Sequence, residues 1–249
     1  MTAKEIKRTL QSEFVRTLRK PFVDAVKAYG LVKPSDKVAV CISGGKDSML
    51  MAKLMQLLQR FSDYPFEVVF LVMDPGYNEI NRHKIESNAA LLEIPVTIFE
   101  TNIFEVANNS EKSPCYLCAR MRRGILHNMA KEAGCNKLAL GHHYDDAVET
   151  FFMNLFNSGS LDCFSPKSYL SRKELWLIRP LVFCGERQVA AAASRCQLPV
   201  VKSSCPADGS TSRQRTKELI ARLEKDYPDL KSKVMGAVER AGIAHWDAV

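Results

Sequence analysis

The run Val38-Ala39-Val40-Cys41-Ile42, followed at once by Ser43-Gly44-Gly45 and then by a helix-forming stretch to about Arg60, constrains the fold more than any other segment. Five consecutive apolar residues read as a strand covered on both faces, and glycines between such a strand and a helix let the backbone approach a ligand. The alternation repeats, with strand patterns near 67–74, 96–100, 137–142 and 174–181 and helical patterns near 79–92, 118–133, 145–156 and 186–197. The expected fold is therefore α/β, an open parallel sheet with helices on both faces. Residues 159–172 read as a polar loop.

Helical extensions are expected at both ends. Ile6, Leu10, Phe14, Leu18, Phe22 and Val26 recur at four-residue steps, the mark of an amphipathic helix, which Pro21 is expected to split. Residues 212–242 suggest one or two helices broken near Pro228. The organisation reads as a basic N-terminal extension (1–37), a nucleotide-binding domain (38–201) and a C-terminal extension carrying a loop with a candidate metal ligand (202–249).

Charge follows the same division. Of 35 Lys and Arg against 28 Asp and Glu, residues 1–37 hold nine against four, 38–201 seventeen against seventeen, and 202–249 nine against seven. A neutral centre with basic ends suits a protein that grips a polyanion by its edges; a solvated basic face kept for solubility is the plainer alternative. The longest apolar runs, such as Val68 to Met73, fall far short of the about 20 residues of a membrane span. No membrane association is expected. Eight cysteines without a leader-like apolar segment suggest a reducing compartment, so a cytoplasmic location is expected.

Ser43-Gly44-Gly45-Lys46-Asp47-Ser48 occupies the phosphate-binding place between strand and helix. It is not a Walker A loop, which would need glycine at Val40 and Ser or Thr at Asp47. A carboxylate inside an anion loop repels phosphate unless a divalent cation intervenes, so the loop points to pyrophosphate held with Mg²⁺. Met73 and Asp74 end a second strand at the same edge. Gly141-His142-His143-Tyr144-Asp145-Asp146 follows a third, with its acids opening a helix.

These segments resemble the SGGKDS loop of the PP-loop ATP pyrophosphatases and the GHHxDD segment of their tRNA-thiolating branch. With Pro114-Cys115-Tyr116-Leu117-Cys118, its arginine tail and Ile178-Arg179-Pro180-Leu181, the chain from about 38 to 220 resembles the tRNA 2-thiocytidine synthetase family. That resemblance implies an adenine nucleotide alpha hydrolase-like fold and an enzyme that uses ATP to adenylate the C2 oxygen of a cytosine. AMP and pyrophosphate are released, and sulfur replaces the oxygen. It further implies ATP binding by Ser43, Gly44, Gly45, Lys46, Asp47, Ser48, Met73, Asp74, Gly141 and Asp146. Mg²⁺ is expected at Asp47 and Asp145, and catalytic roles at Lys46, Asp47, Cys115, Cys118 and Cys205.

By spacing alone, Cys115 and Cys118 admit a metal site or a redox dithiol. The resembled family joins such a pair to one later cysteine to hold a [4Fe-4S] cluster, and Cys205 is the candidate here. The segment Ser203-Ser204-Cys205-Pro206 departs from the family pattern, which carries two cysteines there. Cys41, Cys135, Cys163, Cys184 and Cys196 read as core or surface thiols. Arg120, Arg122, Arg123, Arg213 and Arg215 are candidate contacts to tRNA phosphates. Expected partners are tRNA, a sulfur donor such as a cysteine desulfurase, and a second copy of the chain. Two other readings stay open at this point: a lysidine synthetase-like tRNA ligase, and a non-catalytic metal-stabilised RNA-binding or sulfur-carrier protein.

Overall fold

The structure, a computed structural model, describes residues 1–76, 79–108, 114–198, 200–201 and 212–247. Its centre is a six-stranded sheet of β1 (Lys37–Ile42), β2 (Glu67–Asp74), β3 (Val96–Glu100), β4 (Lys137–Ala139), β5 (Lys167–Leu170) and β6 (Leu175–Ile178), in the order β3-β2-β1-β4-β6-β5. All pairings are parallel except β5 with β6. The chain builds outward from β1 through β2 to β3, then returns to place β4 on the other side of β1. Strand order reverses there, and the crevice between the β1 and β4 ends is where an open α/β sheet binds ligands.

β1 faces two ways. Val38, Val40 and Ile42 enter a large core with α3 (Lys46–Phe61), α7 (Tyr144–Ser158) and α8 (Glu186–Arg195), while Ala39 enters a smaller one covered by α6 (Pro114–Glu132). Both terminal segments share the large core. Ile6 and Leu10 of α1 (Ala3–Ser12) and Phe22 of α2 (Lys20–Ala28) are buried in it. So are Ile220 of α9 (Ser212–Asp226), Met235 and Val238 of α10 (Leu230–Arg240), and Trp246. Below the sheet, Lys137 Nζ meets Asp36 Oδ2 at 2.6 Å and donates to the Leu31 carbonyl, tying the N-terminal segment to β4.

Several sequence expectations are corrected. Pro21 does not split the N-terminal helix; it is the second residue of α2, where its missing N–H costs little. The break falls at Glu13 and Phe14, and Val15–Arg19 form a π-turn ahead of the proline, which relieves crowding of the upstream carbonyls. The expected polar loop contains β5, so the sheet is mostly rather than wholly parallel. Lys167 hides the β5 pattern: its ammonium reaches the Gly30 carbonyl and covers the Trp176 ring at 4.7 Å. The strand expected over 174–181 is only Leu175–Ile178, and α4 (Glu79–Leu91) is joined by a short α5 (Ile103–Asn108) that the sequence reading missed.

Candidate active site

The loop after β1 is braced from within. Gly44 has φ +80°, and a Cβ there would sit 3.1–3.2 Å from Ile85 and Val201, so both conformation and space require glycine. The Gly44 carbonyl accepts from the Val201 N–H at 3.0 Å. Ser48 Oγ accepts from the Ser43 N–H at 3.1 Å and donates to the Gly45 carbonyl at 2.9 Å. Gly45 caps α3 without any side-chain hydrogen bond, leaving the first-turn amides and the positive helix end facing the crevice.

Carboxylates ring the loop lysine. Lys46 Nζ is 3.0 Å from Asp47 Oδ1 and 3.6 Å from Glu186 Oε1. Burial alone would draw this ammonium down, but Asp47 and Glu186 together hold it above its ordinary range. Glu186 is the first residue of α8, and Lys217 of α9 meets both of its oxygens at 2.7 Å.

The segment after β4 lies directly against this loop: a Cβ on Gly141 would be 3.4 Å from the Ser48 amide nitrogen. His143 caps α7 by a reciprocal box, its N–H donating to Asp146 Oδ2 at 2.9 Å and its Nδ1 accepting the Asp146 N–H at 3.3 Å. Asp145 points elsewhere. It accepts from the Glu186 N–H at 2.6 Å and pairs with Lys231 of α10 at 2.8 Å, and these partners overcome burial to hold its carboxyl below the usual range. Arg213 of α9 reaches Asp146 and Glu149, each at 3.1 Å. Burial, reinforced by Asp146, pushes the Glu149 carboxyl up. Burial and the Arg179 charge pull His142 down to about 4, against the Phe164 ring. At the same edge, Met73 and Asp74 are buried, and Asp74 Oδ1 accepts the Gly76 N–H at 2.9 Å.

The helix expected to begin at Cys118 begins at Pro114, so Cys115 is its second residue and Cys118 its fifth. Proline at a first helical position carries that signal. α6 runs from the edge where β3 ends back to the edge where β4 begins, which puts its start at the same edge of the sheet as the loop, on the face opposite α3. Cys118 is half-buried and free. Burial pushes Cys41, Cys163 and Cys184 up to about 12 and Cys196 to about 11, so these remain core thiols. Cys205 lies outside the described residues, and among the described ones no three His, Cys, Asp or Glu side chains are grouped to hold a metal. Two soft sulfur donors one turn apart at a helix start fit a cluster that draws its third ligand from elsewhere in the chain.

The arginines divide. Arg120 and Arg123 are exposed on α6, while Arg122 lies over the Phe104 ring at 5.4 Å. Arg215 is exposed, whereas Arg213 is engaged by the α7 carboxylates. Glu186 and Lys231 escaped the sequence reading, because an ordinary helix start and an ordinary helical lysine carry no local signal, while Lys217, expected to grip RNA beside Arg213 and Arg215, is engaged by Glu186.

Residues 10–223 match the PP-loop domain family. A tRNA-cytidine(32) 2-sulfurtransferase of Pelobacter propionicus is 34% identical over 235 residues, covering 92% of this chain and 87% of that protein. Its counterpart in Geobacter sulfurreducens is 36% identical over 219 residues, covering 86% and 85%. Among solved structures, the U34-tRNA thiolase NcsA from Methanococcus maripaludis with its [4Fe-4S] cluster superposes with a TM-score of 0.72 at 25% identity, over 89% of this chain and 77% of that one. The loop at 43–48, its contact with the segment at 141–146 and these likenesses agree: the chain belongs to the PP-loop family, in the group whose curated members are tRNA-cytidine(32) 2-sulfurtransferases.

Proposed function

We propose that this protein thiolates tRNA at the C2 position of a cytidine, at position 32 as its relatives' names indicate, at the expense of ATP. The supporting observation is the direct apposition of Gly141 to the Ser43–Ser48 loop at the point where strand order reverses. It brings the amides of α3, Lys46, Asp47 and Asp146 to one crevice. The C2 oxygen attacks the α-phosphorus of ATP, pyrophosphate leaves, and a sulfur nucleophile then displaces AMP from C2. Lys46 and the α3 amides stabilise the charge that gathers on the departing pyrophosphate.

Asp47 and Asp146 are the proposed Mg²⁺ ligands. In this reading Asp146 takes the place expected for Asp145, because Asp146 shares His143 with Asp47 while Asp145 turns to Lys231 and the α8 amide. Cys115, Cys118 and Cys205 are the proposed cluster ligands; the cluster they would hold would supply the sulfur-transfer chemistry, three thiolates leaving it open to a further ligand. Ser43, Gly44, Gly45, Ser48, Met73, Asp74 and Gly141 line the nucleotide site in this reading. Arg120, Arg122, Arg123 and Arg215 face tRNA, and Arg213 supports the α7 carboxylates. A cysteine desulfurase as sulfur donor, a homodimer and a cytoplasmic location complete the proposal. No helix among the described residues is long and apolar enough to cross a membrane.

The test is mass analysis of tRNA nucleosides from cells lacking the gene. Loss of 2-thiocytidine, restored by the wild-type gene and not by Lys46→Ala, is expected. Loss of a 2-thiouridine instead would keep the mechanism and change the base, and an unchanged thionucleoside profile would refute the reading.

A further inference from the structure

We propose that Glu186 is a positioning residue for ATP use, which holds Lys46 ready for the phosphates and links it to α9; the inference rests on the reading of Lys46 given above. Lys46 has two anionic neighbours in the structure, Asp47 at 3.0 Å and Glu186 at 3.6 Å. Asp47 is the loop's own candidate for the divalent cation, and a carboxylate that turns to a metal stops restraining the adjacent ammonium. Glu186 is then the neighbour that keeps Lys46 over the crevice. A lysine side chain held in place before the nucleotide arrives has already lost the rotamer freedom that binding would otherwise have to remove.

Glu186 is itself fixed from three directions. Its backbone N–H donates to Asp145 Oδ2 at 2.6 Å, Gly185 precedes it as the helix cap, and Lys217 holds both oxygens at 2.7 Å. Lys217 also balances its charge, so the carboxylate can sit 3.6 Å from the loop lysine without adding a net negative charge to an anion site. One residue thus joins the loop after β1 and α9 through its carboxylate, and the acidic helix start after β4 through its backbone N–H.

The experiment measures Mg·ATP and Mg·pyrophosphate binding to the full chain by calorimetry for the wild type, Glu186→Gln, Lys46→Ala and the double variant, with tRNA affinity and Tm alongside. Glu186→Gln is expected to raise both dissociation constants about tenfold while tRNA affinity stays within twofold, and the double variant to bind no more weakly than Lys46→Ala alone. An effect that multiplies with that of Lys46→Ala, or that extends to tRNA affinity, marks a general structural role and overturns the inference. So does unchanged or tighter Mg·ATP binding by Glu186→Gln. If Lys46→Ala itself binds Mg·ATP like the wild type, the reading of the loop falls and takes the inference with it. Should Glu186→Gln fail to fold, Glu186→Asp keeps the charge but withdraws it by one methylene, and the same loss is expected.

Discussion

His143 Nε2 lies 3.9 Å from Asp47 Oδ1 while its Nδ1 accepts the Asp146 N–H, so one ring stands between the phosphate loop and the acidic helix start with Nε2 toward the loop carboxylate. Capping and alignment of Asp47 are therefore separable. His143→Asn keeps a good helix cap and loses the reach to Asp47; Tm should hold within a few degrees while the KM for ATP rises severalfold. His143→Ala should lose both, at about 1 kcal/mol of stability for the cap. Equal Tm losses in the two variants would contradict the assignment.

Anaerobically purified protein should be brown, and Cys115→Ala, Cys118→Ala and Cys205→Ala should each lose the broad visible absorbance. Cys184→Ala should keep it. That thiol donates to the Leu18 carbonyl at 3.6 Å deep in the large core, so its removal should lower stability by about 1–2 kcal/mol without touching iron content. Iron and sulfide analysis of each variant decides the ligand set.

Acid should weaken the fold before most carboxylates titrate. His142 is drawn down to about 4 from an ordinary 6.5, so the unfolded chain takes up a proton there that the folded chain refuses. Stability from this group is complete above about pH 6.5 and declines as pH falls toward 4, by on the order of 3 kcal/mol at most. Melting curves between pH 7 and 5 should show the decline, and His142→Phe should flatten it. A wild-type Tm independent of pH over that range would refute the assignment.

Arg120 and Arg123 are exposed on the helix that carries the cysteine pair. Replacing both with alanine should weaken tRNA binding and make log Kd less steep in log salt, by about one for each phosphate no longer neutralised, with ATP affinity unchanged. Arg213→Ala should behave differently, impairing ATP use because it leaves Asp146 and Glu149 without their cation. Parallel salt titrations of the variants separate the two classes.

Lys137 and Asp36 are 4% and 8% exposed, so neither charge can be relieved by water if the other is removed. Lys137→Met should destabilise by about 3–5 kcal/mol, and adding Asp36→Asn should recover part of the loss, as read by denaturant midpoints.

The sheet and the loop were legible because their signals are local: an apolar run, two glycines, a lysine and an acid in fixed order. Cys115 and Cys118 were legible as a pair. What escaped depends on contacts between distant positions. Tyr169 and Leu170 of β5 gave no strong alternation, and Lys167 became intelligible only once Gly30 and Trp176 were seen beside it. Asp145 and Asp146 are adjacent in sequence and both open α7, yet one turns to Lys231 and the other to His143 and Arg213; no spacing rule distinguishes them.

The cations of α9 and α10 have a consequence for how this chain can change over time. Arg213, Lys217 and Lys231 are the counter-charges of Asp146, Glu149, Glu186 and Asp145. A descendant that shed the C-terminal helices would turn an edge suited to a polyanion into one that repels it, and the loss would fall on nucleotide and RNA together. Selection on the nucleotide site therefore reaches to the far end of the sequence, and neutral drift at three ordinary-looking basic positions is closed unless their acidic partners drift with them.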